Sequence, residues 1–185
     1  MILPIYAYGQ PVLRKVAQPI GPDYRDLESL IADMYQTMYH AHGVGLAAPQ
    51  IGRDIRLFIV DTTQLDKPEK KFDGIKKVFI NAQLLDENGD PWFYEEGCLS
   101  IPDLHVEIER KPEIQIRYVD EQFVEHIESY DGINARVIQH EYDHIEGILF
   151  IDHMKPLKRR MINRKLEKIK KGDIESDHPM RFVKV

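Results

Sequence analysis

The sequence predicts an α+β fold, with antiparallel sheets packed around a central helix and a further helix near each end. Three observations carry that expectation. Leu27, Leu30, Ile31, Met34 and Met38 recur at three- and four-residue spacing, the signature of an amphipathic helix over about 25–42. A succession of short, β-branched or alternating segments then runs from Ile55 to Ser129. A second helical stretch follows at about 131–146, flanked by Ile133, Val137 and Ile138 before its centre and Ile145, Ile148 and Leu149 after it.

Taken in order, residues 1–22 hold several prolines and Gly9 and read as an extended lead-in packed on the body. The methionines of the first helix are expected in the core, and Gly43 stops it. In Gly43-Val44-Gly45-Leu46-Ala47-Ala48 the spacing fits the dinucleotide fingerprint, but a helix precedes it and Pro49 would fall in the first turn of the following helix. That reading is rejected. Two others stay open: backbone held close to a ligand, or a plain glycine-rich connection. Ile55–Asp61 is a buried strand, and 62–74, with Lys67-Pro68 and several charges, is a surface loop or hairpin tip. Strands are expected at 77–85, 92–95, 106–110, 113–119 and 123–129, with turns at Glu87-Asn88-Gly89-Asp90 and Asp120-Glu121. Beyond Asp152, Leu157, Met161, Ile162, Leu166 and Ile169 trace one apolar stripe along a basic helix at about 155–171. Such a helix ordinarily docks by its stripe, and its basic face suits an acidic or nucleic-acid surface. One domain is expected over 1–172, followed by a loose tail at 173–185.

Bulk properties narrow the function. The chain has 185 residues, long enough to bury a core, and 43% of them are apolar. No apolar run has the length of a transmembrane helix, and the N-terminus lacks the pattern of a secretory signal. Net charge is −6, which argues against general nucleic-acid binding. A single cysteine, Cys98, excludes an intrachain disulfide and suits a reducing compartment.

The chemistry concentrates in Gln139-His140-Glu141-Tyr142-Asp143-His144. Histidines four residues apart on a helix differ by about 40° around its axis, so both rings leave one face and can grip one metal ion. Glu141, beside the first ligand, can handle the proton of a metal-bound water. The bland alternative is a helix with solvated His and Glu, but its apolar flanks argue for burial, and buried ionisable groups need partners. Two histidines leave a metal short of a protein ligand. Cys98, at a strand end preceded by Gly97, can supply a thiolate; it can equally be a small buried apolar side chain. Glu96 would be costly to bury alone, and Arg110 is the nearest cation on the hairpin-like return. The two are expected to pair and to hold the Cys98 loop.

Three segments together, Gly43-Val44-Gly45-Leu46-Ala47-Ala48-Pro49-Gln50, Glu96-Gly97-Cys98-Leu99-Ser100 and Gln139–His144, resemble the motifs of the peptide deformylase family, in the same order. The resemblance runs from the first residues to about 170. It implies a metalloenzyme that removes the formyl group from N-formylmethionine on nascent polypeptides. It also implies one ion per chain held by Cys98, His140 and His144, ferrous iron in the cell, with zinc, nickel or cobalt as substitutes. Glu141 would act as general acid and base, and the side chain of Gln50 with the backbone N–H of Leu99 would stabilise the oxyanion. Gly43, Val44, Gly45 and Gly97 would grip the peptide backbone, and the methionine side chain would meet Val44, Ile133 and Val137. Arg136 and His105 stand where that pocket and its rim are shaped. The family further implies a cytoplasmic, monomeric enzyme, with the C-terminal basic helix as the part that touches the ribosome.

Two other classes use part of this pattern. A zincin-type metallopeptidase would take a third ligand downstream of the helix and leave Cys98 dispensable. A non-catalytic metal module would be indifferent to Glu141→Gln.

Overall fold

In the computed structural model, residues 1–67 and 71–183 are described. Residues 68–70 of the expected surface connection, and the last two of the expected tail, lie outside the described residues. The elements are β1 (Ile5–Tyr6), α1 (Leu27–His40), β2 (Gly45–Ala47), β3 (Leu57–Asp61), β4 (Lys76–Asn88), β5 (Trp92–Cys98) and β6 (Ile101–Arg110). They continue with β7 (Glu113–Val119), β8 (Glu125–Asp131), α2 (Gly132–Ile145), α3 (Pro156–Met161), α4 (Asn163–Lys171) and β9 (Met180–Arg181).

The main sheet has the order β2-β3-β4-β7-β8, antiparallel throughout. Its interior strand β3 is buried at every position because both faces are covered. Phe58 and Val60 pack with Phe79, Ile116 and the α2 residues Ala135, Ile138 and Ile145. The alternate residues Leu57 and Ile59 pack with Met34 and Met38 of α1 on the other side. A separate hairpin, β5–β6, shelters a third cluster in which Ile101, Leu104 and Ile108 meet Phe150, Leu166 and Ile169. The α+β expectation therefore holds. Helix α2 lies between the main sheet, through Ala135 and Ile138, and the hairpin, through Arg136 and His140.

Two C-terminal expectations need correction. The basic helix is broken at Ile162, and only its second half docks: Leu166 and Ile169 are buried, whereas Leu157 and Met161 are 75% and 79% exposed. The break turns the face of α3 away from the body, so the apolar stripe is not continuous in space. The expected loose tail is also anchored. Met180–Arg181 pairs in parallel with Ile5–Tyr6, and Gln10 Nε2 donates to the Phe182 carbonyl at 2.7 Å.

Candidate metal centre and cleft

Helix α2 presents Arg136, His140 and His144 at intervals of four residues, hence on one face, and that face meets the β5–β6 hairpin. Along β5, Glu96 and Cys98 are two apart and share a side of the strand. The ladder shifts register between them at Gly97, a bulge that re-aims the cysteine. A Cβ on Gly97 would lie 2.8 Å from the His105 ring, so no larger residue fits that bulge without moving His105.

Three donor atoms from Cys98, His140 and His144 converge within 4.8 Å of one another. His140 Nδ1 is 3.0 Å from Glu96 Oε2, which leaves Nε2 for the site, and His144 Nε2 is 3.3 Å from Cys98 Sγ. Burial pushes His144 well below the ordinary imidazole range, and the nearby His140 adds to the effect, so its ring is neutral with a lone pair to give. Burial acts the same way on His140, but hydrogen bonds with Cys98 and Glu96 reverse it and hold that ring well above the ordinary range. A cation accepting an electron pair from His140 would displace the proton which that ring otherwise holds. The donor set, one thiolate and two imidazoles, suits zinc or ferrous iron. The residues fit a metal ion on a further count. Glu141 Oε2 is buried beside these donors and has no partner among the described residues, so the site calls for a polar occupant. Burial raises the Glu141 carboxyl to about 7, the charges of Glu96 and Asp143 adding to the effect against that of His140.

Around the donors lies a buried ionic cluster. Arg110 donates to Glu96 from Nε at 2.7 Å and from Nη2 at 3.1 Å, the bidentate pair expected from the hairpin, with the two residues 8% and 5% exposed. Its Nη1 reaches Asp143 at 2.8 Å, and His153 Nε2 meets the same carboxylate oxygen. Arg136 adds a second guanidinium on Glu96 at 3.1 Å, and binds the carbonyls of Ile108 and Trp92. Two carboxylates thus face two guanidiniums. Burial alone would raise Glu96, but its hydrogen bonds with His140 and Arg110 prevail and keep it below the ordinary carboxylate range.

Gln50 is aimed by its backbone neighbour. Its Oε1 accepts from the Ala47 N–H at 2.8 Å, so its NH2 must face Ser100 Oγ at 3.3 Å and Cys98 Sγ at 3.6 Å. Gly45 is pressed against the helix: a Cβ there would lie 2.5 Å from Glu141 Oε1. One cavity of about 470 Å³ is lined by every residue expected at the site except His144, which is buried in contact with Cys98. Those lining residues include Gly43, Val44, Gly45, Gln50, Gly97, Leu99, Ile133, Arg136 and Val137. Sequence reasoning missed Asp143, Ser100 and the dual grip on Glu96. The four-residue spacing of Arg136 and His140 was an available signal for the last of these. It also missed Tyr94, His42 and the C-terminal residues that line the same cavity.

A half-buried cysteine and two buried histidines converging beside a buried carboxylate in an open cleft define a mononuclear metallohydrolase type of site. Comparison narrows the class. The family model described as polypeptide deformylase matches residues 2–160. The peptide deformylase of Flavobacterium johnsoniae is 51% identical over 99% of this chain and 97% of its own length. That of Cytophaga hutchinsonii is 50% identical, covering 98% of each. Among solved structures, a peptide deformylase from Legionella pneumophila superposes with a TM-score of 0.82 at 36% identity, covering 95% of this chain and 99% of that one. The chain belongs to the polypeptide deformylase family, a family of enzymes.

Proposed function

We propose that this protein is a metal-dependent amide hydrolase that removes the formyl group from N-formylmethionine at the N-terminus of nascent polypeptides. The observation that carries the reading is the unpartnered, buried Glu141 oxygen beside the Cys98, His140 and His144 donors in one peptide-sized cleft. A divalent ion held by those three residues, ferrous iron with zinc, nickel or cobalt as substitutes, would supply Lewis acidity toward a water and the formyl oxygen.

The rest is work for the chain's own groups. Glu141 Oε2 takes the proton of the attacking water and returns it to the amide nitrogen that leaves. Its elevated affinity for protons suits both steps. The Gln50 NH2, held in orientation by Ala47, donates to the formyl oxygen as it becomes an oxyanion, with the Leu99 N–H as second donor. Because the Val44 carbonyl is taken by the Asp61 N–H, strand alternation turns the N–H and C=O of Gly45 outward from the edge of the sheet. That free edge, with Gly43 and Gly97, is suited to hold the substrate backbone as an added strand. The methionine side chain enters beside Val44, Ile133 and Val137, where Arg136 is neutralised by Glu96 and covered by the Trp92 ring, 4.7 Å from its guanidinium carbon.

The unit proposed to carry this activity is one domain over 1–172, acting as a cytoplasmic monomer. No helix among the described residues is long and apolar enough to cross a membrane. The exposed Lys158, Arg160, Arg164 and Lys168 of α3 and α4 support a contact with ribosomal phosphates. The deciding experiment measures formate release from a formyl-Met peptide together with metal content of the same sample. Absence of formate at full metal occupancy would overturn the reading.

A further inference from the structure

We propose that His40 and His178 form a second metal site, outside the Cys98 centre, that takes one borderline divalent transition-metal ion. The two rings meet edge to face at the end of α1, with His40 Nδ1 and His178 Nδ1 2.9 Å apart. Nothing in the deformylase reading uses them, and the inference stands independently of it.

His178 lies on a C-terminal strap that closes over the first residues of the chain. Ile5 N–H donates to the Pro179 carbonyl and Ala7 N–H to that of Arg181, each at 2.9 Å. His178 itself is buried and forms part of the wall of the central cavity. Its Nε2 is 2.9 Å from the Leu3 carbonyl, which can only accept, so that nitrogen carries the hydrogen. In the neutral ring Nδ1 then keeps its lone pair, and it faces His40. A backbone carbonyl that fixes one nitrogen and frees the other is the support that metal-binding histidines ordinarily have. Burial holds His178 below the ordinary imidazole range, the Leu3 hydrogen bond opposing the effect and the charge of His40 adding to it. Protons therefore compete weakly for that lone pair.

His40 supplies the adaptable half. It is exposed, so water can exchange its hydrogen between the two ring nitrogens. With the hydrogen on Nδ1 the pair is a hydrogen bond. With it on Nε2 two lone pairs face one point, and the pair is a chelate. The change moves one proton around the His40 ring and leaves the net charge unaltered. An ion about 2.0–2.1 Å from each nitrogen would then see them about 90° apart, a cis pair of the square-planar or tetragonal site that Ni(II) or Cu(II) takes. Tetrahedral zinc would require the nitrogens to part by about 0.4 Å. No third His, Cys or carboxylate joins them among the described residues, so water completes the shell on the exposed side. The local field favours a cation. His40 ends α1, where the helix dipole is negative, and Glu175 and Asp177 are exposed on the strap.

The test starts from full-length protein loaded with one nickel ion per chain and titrates further Ni(II) by calorimetry at neutral pH. Wild-type protein should take up a second equivalent. His40→Gln and His178→Gln should each weaken that step at least about tenfold and leave the first ion in place. Absence of a second equivalent in the wild type, or a second step unchanged in His40→Gln, would overturn the site and leave the pair a hydrogen bond alone. Loss in His40→Gln with no change in His178→Gln would put the ion on His40 by itself and overturn the chelate equally. Should His178→Gln not fold, hydrogen exchange on wild-type protein decides. The second equivalent should slow exchange of the Ile5 and Ala7 amides, which pair with the strap, and unchanged exchange would overturn the inference.

Discussion

The two ends of the cleft are built in opposite ways. Around Glu96 the parts are side chains with full charges, nearly all buried, each satisfied by a specific partner on another element. At the strap the parts are backbone hydrogen bonds, a pair of hydrogen-bonded imidazole rings and a few apolar contacts. A charge cluster out of water tolerates no vacancy, because each loss strands a partner in a medium that cannot solvate it. Backbone pairing asks little of residue identity, since every residue but proline carries the same donor and acceptor. The first design holds atoms to tight tolerances for chemistry, while the second fixes a wall and leaves its surface free to vary.

That contrast can be broken, starting with its largest consequence. Glu141→Gln should keep the metal and lose about 10²–10⁴-fold in kcat, as for removal of a general base, whereas Cys98→Ala should lose metal as well. Metal analysis beside steady-state kinetics separates the two, and normal turnover of metal-replete Glu141→Gln would refute the assigned role. Next in size, Arg110→Ala leaves Glu96 and Asp143 short of a cation in a buried site and should cost about 3–5 kcal/mol in denaturant unfolding. A loss under about 1 kcal/mol there would show that the cluster is solvated and the contrast with the strap unfounded.

The C-terminal helices offer an internal comparison of their own. Leu166→Ala should cost about 2–5 kcal/mol, as a buried leucine does, and Leu157→Ala, on the exposed half, no more than about 0.5 kcal/mol. Charge reversal at Lys158 and Arg160 should then weaken ribosome co-sedimentation at low salt while hydrolysis of a short formyl peptide persists; unchanged co-sedimentation would remove α3 as the contact.

The smallest effect is expected at the strap and depends on pH. Burial, with the neighbouring His40, lowers His178 below its ordinary value of 6.5. The unfolded chain therefore binds the proton more readily, so the contribution of neutral His178 is complete above about pH 6.5. It is lost as pH falls through the lower folded value. Hydrogen exchange, corrected for its intrinsic pH dependence, should show the Ile5 and Ala7 amides losing protection in that direction before Ile59 and Val60 do. An identical profile in His178→Asn would exclude the histidine as the cause.

Local rules determined a good deal of this protein from sequence alone. The spacing of Leu27 to Met38 and of Ile133 to Ile145 located α1 and α2 to within two residues, because a helix facing a core repeats its apolar positions with its own period. The four-residue step from His140 to His144 put two imidazoles on one face for the same reason. Even the Glu96–Arg110 pair could be anticipated, since a carboxylate buried on the hairpin calls for that hairpin's nearest cation, although the ladder sets Arg110 opposite Trp92 and Glu96 opposite Val106. Tertiary structure decided what no period encodes. The repeat from Leu157 to Ile169 has helical spacing throughout, yet a break at Ile162 leaves its first half in water. Arg136 became a partner of Glu96, and 173–183 became a strap, through contacts with residues 40 and more than 170 positions away. Sequence spacing governs which residues share a face of one element. Which elements meet is settled by the global competition to bury apolar surface and pair buried charge, and that sum is taken over the whole chain at once.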